Sequence, residues 1–272
     1  LLFFIFRILG YKLASNLSSK ITGFCGPFFR PKKRILSNII KSLKNVNEND
    51  AKNIVNKMWA NYGRILSDYI FIKDFRNSKL NNFLSIEGLE ILNKIKQNNE
   101  PVIFISGHFN NFELMAMQIE KFGINLATIY RPLNNVFLNK IMESVRIKHI
   151  CKNQIKKGLR GTRELLQYFK KDYSIALMID QRVSEGIKLN FYGRPAFTTT
   201  IPAQFVKKYK CKIVPIYIER INKIYYKMII NDPIKFRETS TIESITEDLN
   251  NWLEKMIIKK PSQWIWTHDR WK

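Results

Sequence analysis

From about residue 84 the chain alternates short, continuously apolar runs with stretches of helical spacing, and that rhythm restricts its fold more than any other feature. "LSIEG" at 84–88 reads as a strand and "LEILNKIKQ" as the helix after it. "PVIFISG" is an apolar run bounded by Pro101 and Gly107, followed by a helix over "NFELMAMQIEKFG" that Gly123 stops. "INLATIY", "SIALMID", "CKIVPIYIE" and "YYKMIIN" supply further strands. Helices are predicted near 136–147, over "LRGTRELLQYFKK", over "TTTIPAQFVKKYK" with Pro202 in its first turn, and near 243–259. Runs that are apolar on both faces and separated by helices imply the α/β class, a mostly parallel mixed sheet flanked by helices. Ligands of such sheets sit beyond the C-terminal ends of the strands. His108 directly follows one of those ends.

The first 75 residues carry a different pattern. "RILSNIIKSL" places Ile35, Ile39, Ile40 and Leu43 at helical spacing, and a second helix runs on through Val55, Met58, Trp59 and Tyr62, with Asn49 or Asp50 as its expected N-cap. The chain therefore divides into a helical N-terminal segment, 1–80, and an α/β domain, 81–272. At 272 residues with 45% hydrophobic side chains it can bury a substantial core.

Charge separates the two parts further. The whole chain carries a formal +24, which suits anionic partners: nucleic acid, an anionic membrane face, a phosphorylated substrate or an acidic carrier protein. Lys-, Asn- and Ile-rich composition accounts for part of that total. Residues 1–47 hold nine basic side chains (Arg7, Lys12, Lys20, Arg30, Lys32, Lys33, Arg34, Lys41, Lys44) and no acidic one. The same segment opens "LLFFIFRILGYKLASNL", which Arg7 and Lys12 interrupt short of the ~20 apolar residues a spanning helix needs. Apolar bulk mixed with basic side chains fits a helix lying in an anionic bilayer surface; the alternative is a helix packed on the domain. No small-residue cleavage site follows, so the segment does not read as a signal peptide. Nucleic acid is the poorer partner, because basic residues are dispersed through the α/β part and no helix-turn-helix, zinc-finger or aromatic RNP block is present. Cys25, Cys151 and Cys211 are odd in number and lack C-x-x-C spacing, which argues against a disulfide framework or a zinc site and for a reducing environment.

The chemistry is concentrated around His108. Histidine is the side chain best suited to moving protons near neutral pH. Glu113, five residues on, would reach its ring if the turn folds back, hold one tautomer and stabilise the imidazolium. A histidine so held can take a proton from a hydroxyl as that hydroxyl attacks a carbonyl, help worth ~10²–10⁴ in rate. By itself the spacing is weak: at this acidic content about one chain in six has such a pair by chance. His149, with Gln154 at the same offset, reads as a surface residue.

Other blocks give the pair company. "SGHFNNFELM" resembles the "H-F-G-N-W-E" block of the bacterial lipid A late acyltransferases, the lauroyl/myristoyl transferase family within the glycerolipid acyltransferases with an H-x4-D/E motif. In order along the chain, "YRPLNN" at 130–135 resembles that family's "YRPLKN". "MIDQRVSEGIKLNFYGRPAFTTT" at 178–200 resembles its "DQ…FFGRPA.T" block. "IVPIYIER" resembles its "VVPVF" strand, and "PSQWIWTHDRWK" at 261–272 its "PEQYLWLHRRFK". The likeness spans nearly the whole chain, with "NYGRILSDYI" matching more loosely. Two departures stand out: Asn-Asn-Phe replaces Gly-Asn-Trp after Phe109, and "QRVSEGIKLN" is more charged than the family's segment.

The resemblance implies His108 as general base and Glu113 as its orienting partner. It implies Arg131 as a grip on phosphate or a neighbour of the developing oxyanion, the alternative being a structural ion pair. Asp180 and Gln181 match the "DQ" pair at a strand end and would contact substrate or pin the site. Gly193 and Arg194 match "GRP", the glycine allowing close backbone approach and the arginine a candidate phosphate contact or a surface charge. The Trp-x-Trp-x-His segment at 264–268 is expected to pack rather than to catalyse. The implied reaction moves a fatty acyl group from acyl-acyl carrier protein to a hydroxyl of a Kdo-bearing lipid A precursor, on the cytoplasmic face of the inner membrane with peripheral or monotopic attachment. No metal or cofactor is expected. The rival within the same chemistry is a lysophospholipid or other glycolipid acyltransferase using acyl-CoA or acyl-acyl carrier protein.

Overall fold

The computed structural model describes residues 2–272. Four helices open the chain: α1 (Leu2–Cys25), α2 (Lys32–Ser42), α3 (Glu48–Ile70) and α4 (Ile72–Arg76). α1 breaks at Gly10, whose φ of 73° is a conformation that side chains with a Cβ avoid. Beyond the break it lies against α3 so closely that a Cβ on Gly63 would come within 2.2 Å of the Ser18 carbonyl oxygen. The Ser18 hydroxyl donates to the Gly63 carbonyl at 2.6 Å across the same crossing. The cap of α3 is Asn47, not Asn49 or Asp50 as expected. Its side chain accepts from the Asp50 amide at 2.9 Å and the Asp50 carboxylate accepts from the Asn47 amide at 3.3 Å, a reciprocal box that fixes the start two residues earlier.

The remainder is an α/β layer structure built on a seven-stranded sheet. Its strands are β1 (Leu84–Glu87), β2 (Ile103–Ser106), β3 (Leu126–Tyr130), β4 (Asn153–Lys156), β5 (Ser174–Met178), β8 (Ile213–Ile221) and β9 (Tyr225–Ile230), in the order β1-β9-β8-β2-β5-β3-β4. All neighbours run parallel except the β8–β9 hairpin. Every side chain of β2 is buried, as a central strand covered on both faces requires. β4 was not expected from the sequence. It is a polar edge strand, "NQIK", that buries only Ile155, so it lacks the apolar run that marks the others. A separate antiparallel ribbon, β6 (Ile187–Phe191) with β7 (Arg194–Thr198), follows β5 and Asp180 just beyond it.

Helices α5 (Leu89–Asn98), α6 (Glu113–Lys121), α7 (Val136–His149), α8 (Leu159–Phe169), α9 (Ile201–Tyr209) and α10 (Ile242–Lys259) complete the chain. One continuous apolar core includes Ala14, Ile39 and Met58 of the N-terminal helices together with Ile103, Val214 and Leu253. Two polar ties join the same regions: Tyr11 donates to the Ile224 carbonyl at 3.1 Å, and the buried Asp68 of α3 pairs with the buried Arg220 of β8 at 2.8 Å. α7 differs from its neighbours in burying no side chain. Among the described residues no helix is long and apolar enough to cross a membrane.

Candidate active site

His108 and Asp180 are brought together by strand register. β2 and β5 pair with Ser106 opposite Met178, so the residues two positions beyond each strand face one another across the sheet edge. The Ile179 amide, bonded to the Ser106 carbonyl at 2.9 Å, carries the pairing one step past the strands. There the Asp180 carboxylate accepts from His108 twice, from Nδ1 at 2.7 Å and from the backbone amide at 2.9 Å. The indole N–H of Trp264 donates to the same carboxylate at 2.8 Å. Asp180 is wholly buried, while the His108 side chain keeps 19% of its surface exposed.

The electrostatics follow from those contacts. Burial pushes the Asp180 carboxyl up, but attraction to the His108 ring and hydrogen bonds from both His108 donors and Trp264 outweigh it and hold the group down at about 2. An anionic Asp180 keeps the proton of a neutral ring on Nδ1, leaving Nε2 as the acceptor. Nε2 points toward the Gln181 side-chain amide, 3.4 Å away, and Phe112 packs edge-on to the ring at 4.7 Å between centroids. The ring is therefore oriented from behind, and the nitrogen that would take a proton meets only the long contact to Gln181.

The loop after His108 is held from the C-terminal tail. Asn110 adopts a left-handed backbone (φ 45°), its amide donates to the Gln263 carbonyl at 3.0 Å and its side-chain N–H₂ to the Gln263 side chain. Gln263 in turn brackets Arg220 of β8, accepting from its amide and donating to its carbonyl, each at 2.9 Å. Gln263 fixes the histidine loop and the adjacent Trp264 fixes the carboxylate. Trp264 and Trp266 are buried as expected of packing residues, yet the Trp264 indole also contacts the site. His268 lies near: its Nε2 accepts from the Arg182 amide at 3.0 Å, and burial lowers its pKa.

Glu113 is directed elsewhere. The expectation that it folds back onto the histidine ring does not match the geometry, in which Asp180 occupies Nδ1. Glu113 opens α6 with its carboxylate buried, accepting from the Tyr69 hydroxyl of α3 and from Arg146 of α7, at 2.8 Å from Nε and again from Nη2. Burial lowers the Arg146 pKa, but Glu113 more than reverses it and the net shift is upward. Burial, then Glu113, raises that of Tyr69. The cluster ties α3, α6 and α7 together and closes one end of an apolar cavity of about 60 Å³ lined by Phe104, Met115, Ala116, Ile119, Ala176 and Met178.

The remaining expected residues separate by environment. Arg131 is exposed just past β3 and joins none of the ion pairs among the described residues. Gly193 sits with Tyr192 in the two-residue turn between β6 and β7, both with positive φ (67° and 54°), and nothing lies within 4 Å of where its Cβ would be. A tight hairpin turn, not the approach of a ligand, accounts for glycine there. Arg194 donates to Ser42 of α2 at 2.8 Å and stacks 3.6 Å above the Trp271 ring.

A family model described as bacterial lipid A biosynthesis acyltransferase matches residues 1–272. The chain belongs to that family. It is an acyltransferase of lipid A biosynthesis. Relatives are distant: a lipid A biosynthesis acyltransferase of Haemophilus influenzae is 23% identical over 83% of this chain and 72% of its own. A lipid A biosynthesis palmitoleoyltransferase of Escherichia coli is 20% identical over 97% and 86%, and a lipid A biosynthesis myristoyltransferase of the same organism is 20% identical over 86% and 73%. A solved 1-acyl-sn-glycerophosphate acyltransferase, PlsC, from Thermotoga maritima aligns over 94% of this chain and 100% of its own, with a TM-score of 0.46 and 12% identity. In this acyltransferase, then, one polar constellation with an open face stands at the C-terminal sheet edge, on His108.

Proposed function

We propose that His108 is the general base of an acyl transfer from acyl-acyl carrier protein to a hydroxyl of a Kdo-bearing lipid A precursor. The acceptor hydroxyl attacks the thioester carbonyl as Nε2 takes its proton. The tetrahedral intermediate then expels the thiolate, which takes the proton back from the imidazolium. No other reagent is consumed, and the ester and the free thiol balance the step.

The single observation that carries this reading is a ring held at Nδ1 by a buried anionic carboxylate, with Nε2 as its acceptor and part of the ring exposed. In it Asp180 orients the ring and stabilises the imidazolium, the part an acidic partner plays in a triad. Gln181 sits beside the reacting nitrogen. Glu113, with Arg146 and Tyr69, fastens the helices around the site, and Arg131 is free to meet an acceptor phosphate. Residues 1–47, basic and carrying exposed Phe24, Phe28 and Phe29, rest on the cytoplasmic face of the inner membrane.

The test follows labelled acyl transfer from acyl-acyl carrier protein to a Kdo-lipid A precursor in detergent micelles. Native turnover with a collapse in His108→Ala, folding retained, is the expected result. Native turnover that survives the substitution would remove the base. Transfer only from acyl-CoA to a lysophospholipid would replace both donor and acceptor.

A further inference from the structure

The sheet edge that presents His108 and Asp180 continues through β3 and β4, and the chain leaving those two strands has an unusual surface. Between residues 131 and 163 stand nine basic side chains against one acidic, Glu143; Arg146 is paired with Glu113, and the other eight are Arg131, Lys140, Lys148, Lys152, Lys156, Lys157, Arg160 and Arg163. Glu143 is itself held by Tyr130 and Lys156. The same stretch exposes Phe137 at 81%, Leu159 at 83% and Val136 at 64%, with Leu138 and Ile141 beside them. α7, which carries most of these, buries no side chain fully and turns Val145 and Arg146 toward the core. Arg131 leaves the end of β3 and Lys157 the end of β4, and the Lys157 amide donates to the Tyr130 carbonyl at 2.9 Å, so both groups of residues emerge side by side.

We infer that this β3–β4 rim, with the N-terminal half of α7 and the start of α8, is a second membrane-docking surface that inserts Phe137 and Leu159 into an anionic leaflet. Large apolar side chains set among cations are the combination that an interfacial surface uses: the apolar groups leave water for the acyl boundary while the cations meet lipid phosphates. A patch of this kind on a monomer marks an interaction site. An acidic protein would neutralise the charges but gives no comparable reason for Phe137 and Leu159 to stand fully in water. The rim also fits the position of the chemistry. The N-terminal segment reaches the same region from the other side, since Arg34 pairs with Asp269 of the tail and Tyr62 feels the charges of both Asp180 and Arg30. A lipid acceptor keeps its own chains in the bilayer, so an edge that docks on both flanks of His108 brings the hydroxyl to the base without extracting the lipid.

The inference extends the membrane reading above but has its own readout. An environment-sensitive fluorophore is attached to Phe137→Cys or Leu159→Cys in a Cys25→Ser background, Cys151 and Cys211 being buried. Thr239→Cys, exposed beside Glu238, which Lys207 and Lys210 hold at the C-terminal end of α9, is the control. With vesicles of phosphatidylethanolamine and phosphatidylglycerol, labels at 137 and 159 brighten and shift to the blue while the label at 239 does not. Lys140→Ala and Arg160→Ala each weaken vesicle binding about fivefold at low salt. Labels that keep their water-like emission while the chain floats with the vesicles would overturn this inference and leave the N-terminal contact standing. Failure to float at all would overturn both. A response to acyl carrier protein alone would overturn it in favour of a protein partner.

Discussion

Asp180 and Glu113 are both buried carboxylates, each bonded to a nitrogen base, and their surroundings give them opposite uses. The partner of Asp180 is a histidine, a side chain able to take up and release a proton, whose second nitrogen points away from the carboxylate. Glu113 meets a guanidinium that stays charged and a phenol that burial keeps protonated, and all three are closed in by the helices they join. A proton can pass through the first arrangement. The second can only hold α3, α6 and α7 in place.

Each substitution below strains that contrast, beginning with the largest effect. His108→Ala removes the base, and turnover falls by about 10²–10⁴. Arg146→Met leaves Glu113 buried and unpaired, a loss of about 3–5 kcal/mol in denaturant unfolding, while the pH profile of the surviving folded enzyme keeps its shape. Acid titration of stability comes next. The folded Asp180 carboxyl lies at about 2 against an ordinary 3.8, so the unfolded chain binds the proton first as pH drops. Its contribution, roughly 2 kcal/mol, is complete above pH ~4 and disappears as pH falls toward 2. Comparing unfolding curves from pH 5 to 2.5 for native protein and Asp180→Asn isolates it; identical pH dependence would contradict the assignment. Trp264→Phe removes one hydrogen bond to the carboxylate along with part of the buried ring. The hydrogen bond contributes about 1 kcal/mol beside the packing loss, and without it the acid loss of stability moves to higher pH, whereas a purely packing role would leave that pH unchanged.

The fold was legible because its signals are local. Continuous apolar runs such as "VIFIS" and "IALMI" announce buried parallel strands, and helical spacing fills the gaps. β4 escaped because an edge strand packed on one side needs no such run, and the cap of α3 because Asn47, Asn49 and Asp50 all fit the pattern. The site was half legible. His108 is announced by its place after a strand, but its carboxylate is not the one nearest in sequence. Glu113 lies five residues away along the chain and turns to Arg146; Asp180 lies 72 away and is set opposite by register. The signal was present in the matching ends "FISGH" and "ALMID", in which the reactive residue stands two places past the last paired one. The Trp264 indole could not be read at all, because a buried tryptophan announces packing and not which way its N–H points.

The measurement that tests the account most directly sets the two carboxylates side by side. Acyl transfer is followed for Asp180→Asn and Glu113→Gln, both near-isosteric, with folding checked in each. Turnover reduced by about 10²–10⁴ in Asp180→Asn, with far milder loss in Glu113→Gln once stability is matched, is the predicted outcome. The reverse order, near-native turnover without the Asp180 charge and collapse without that of Glu113, would contradict it and return Glu113 to the histidine.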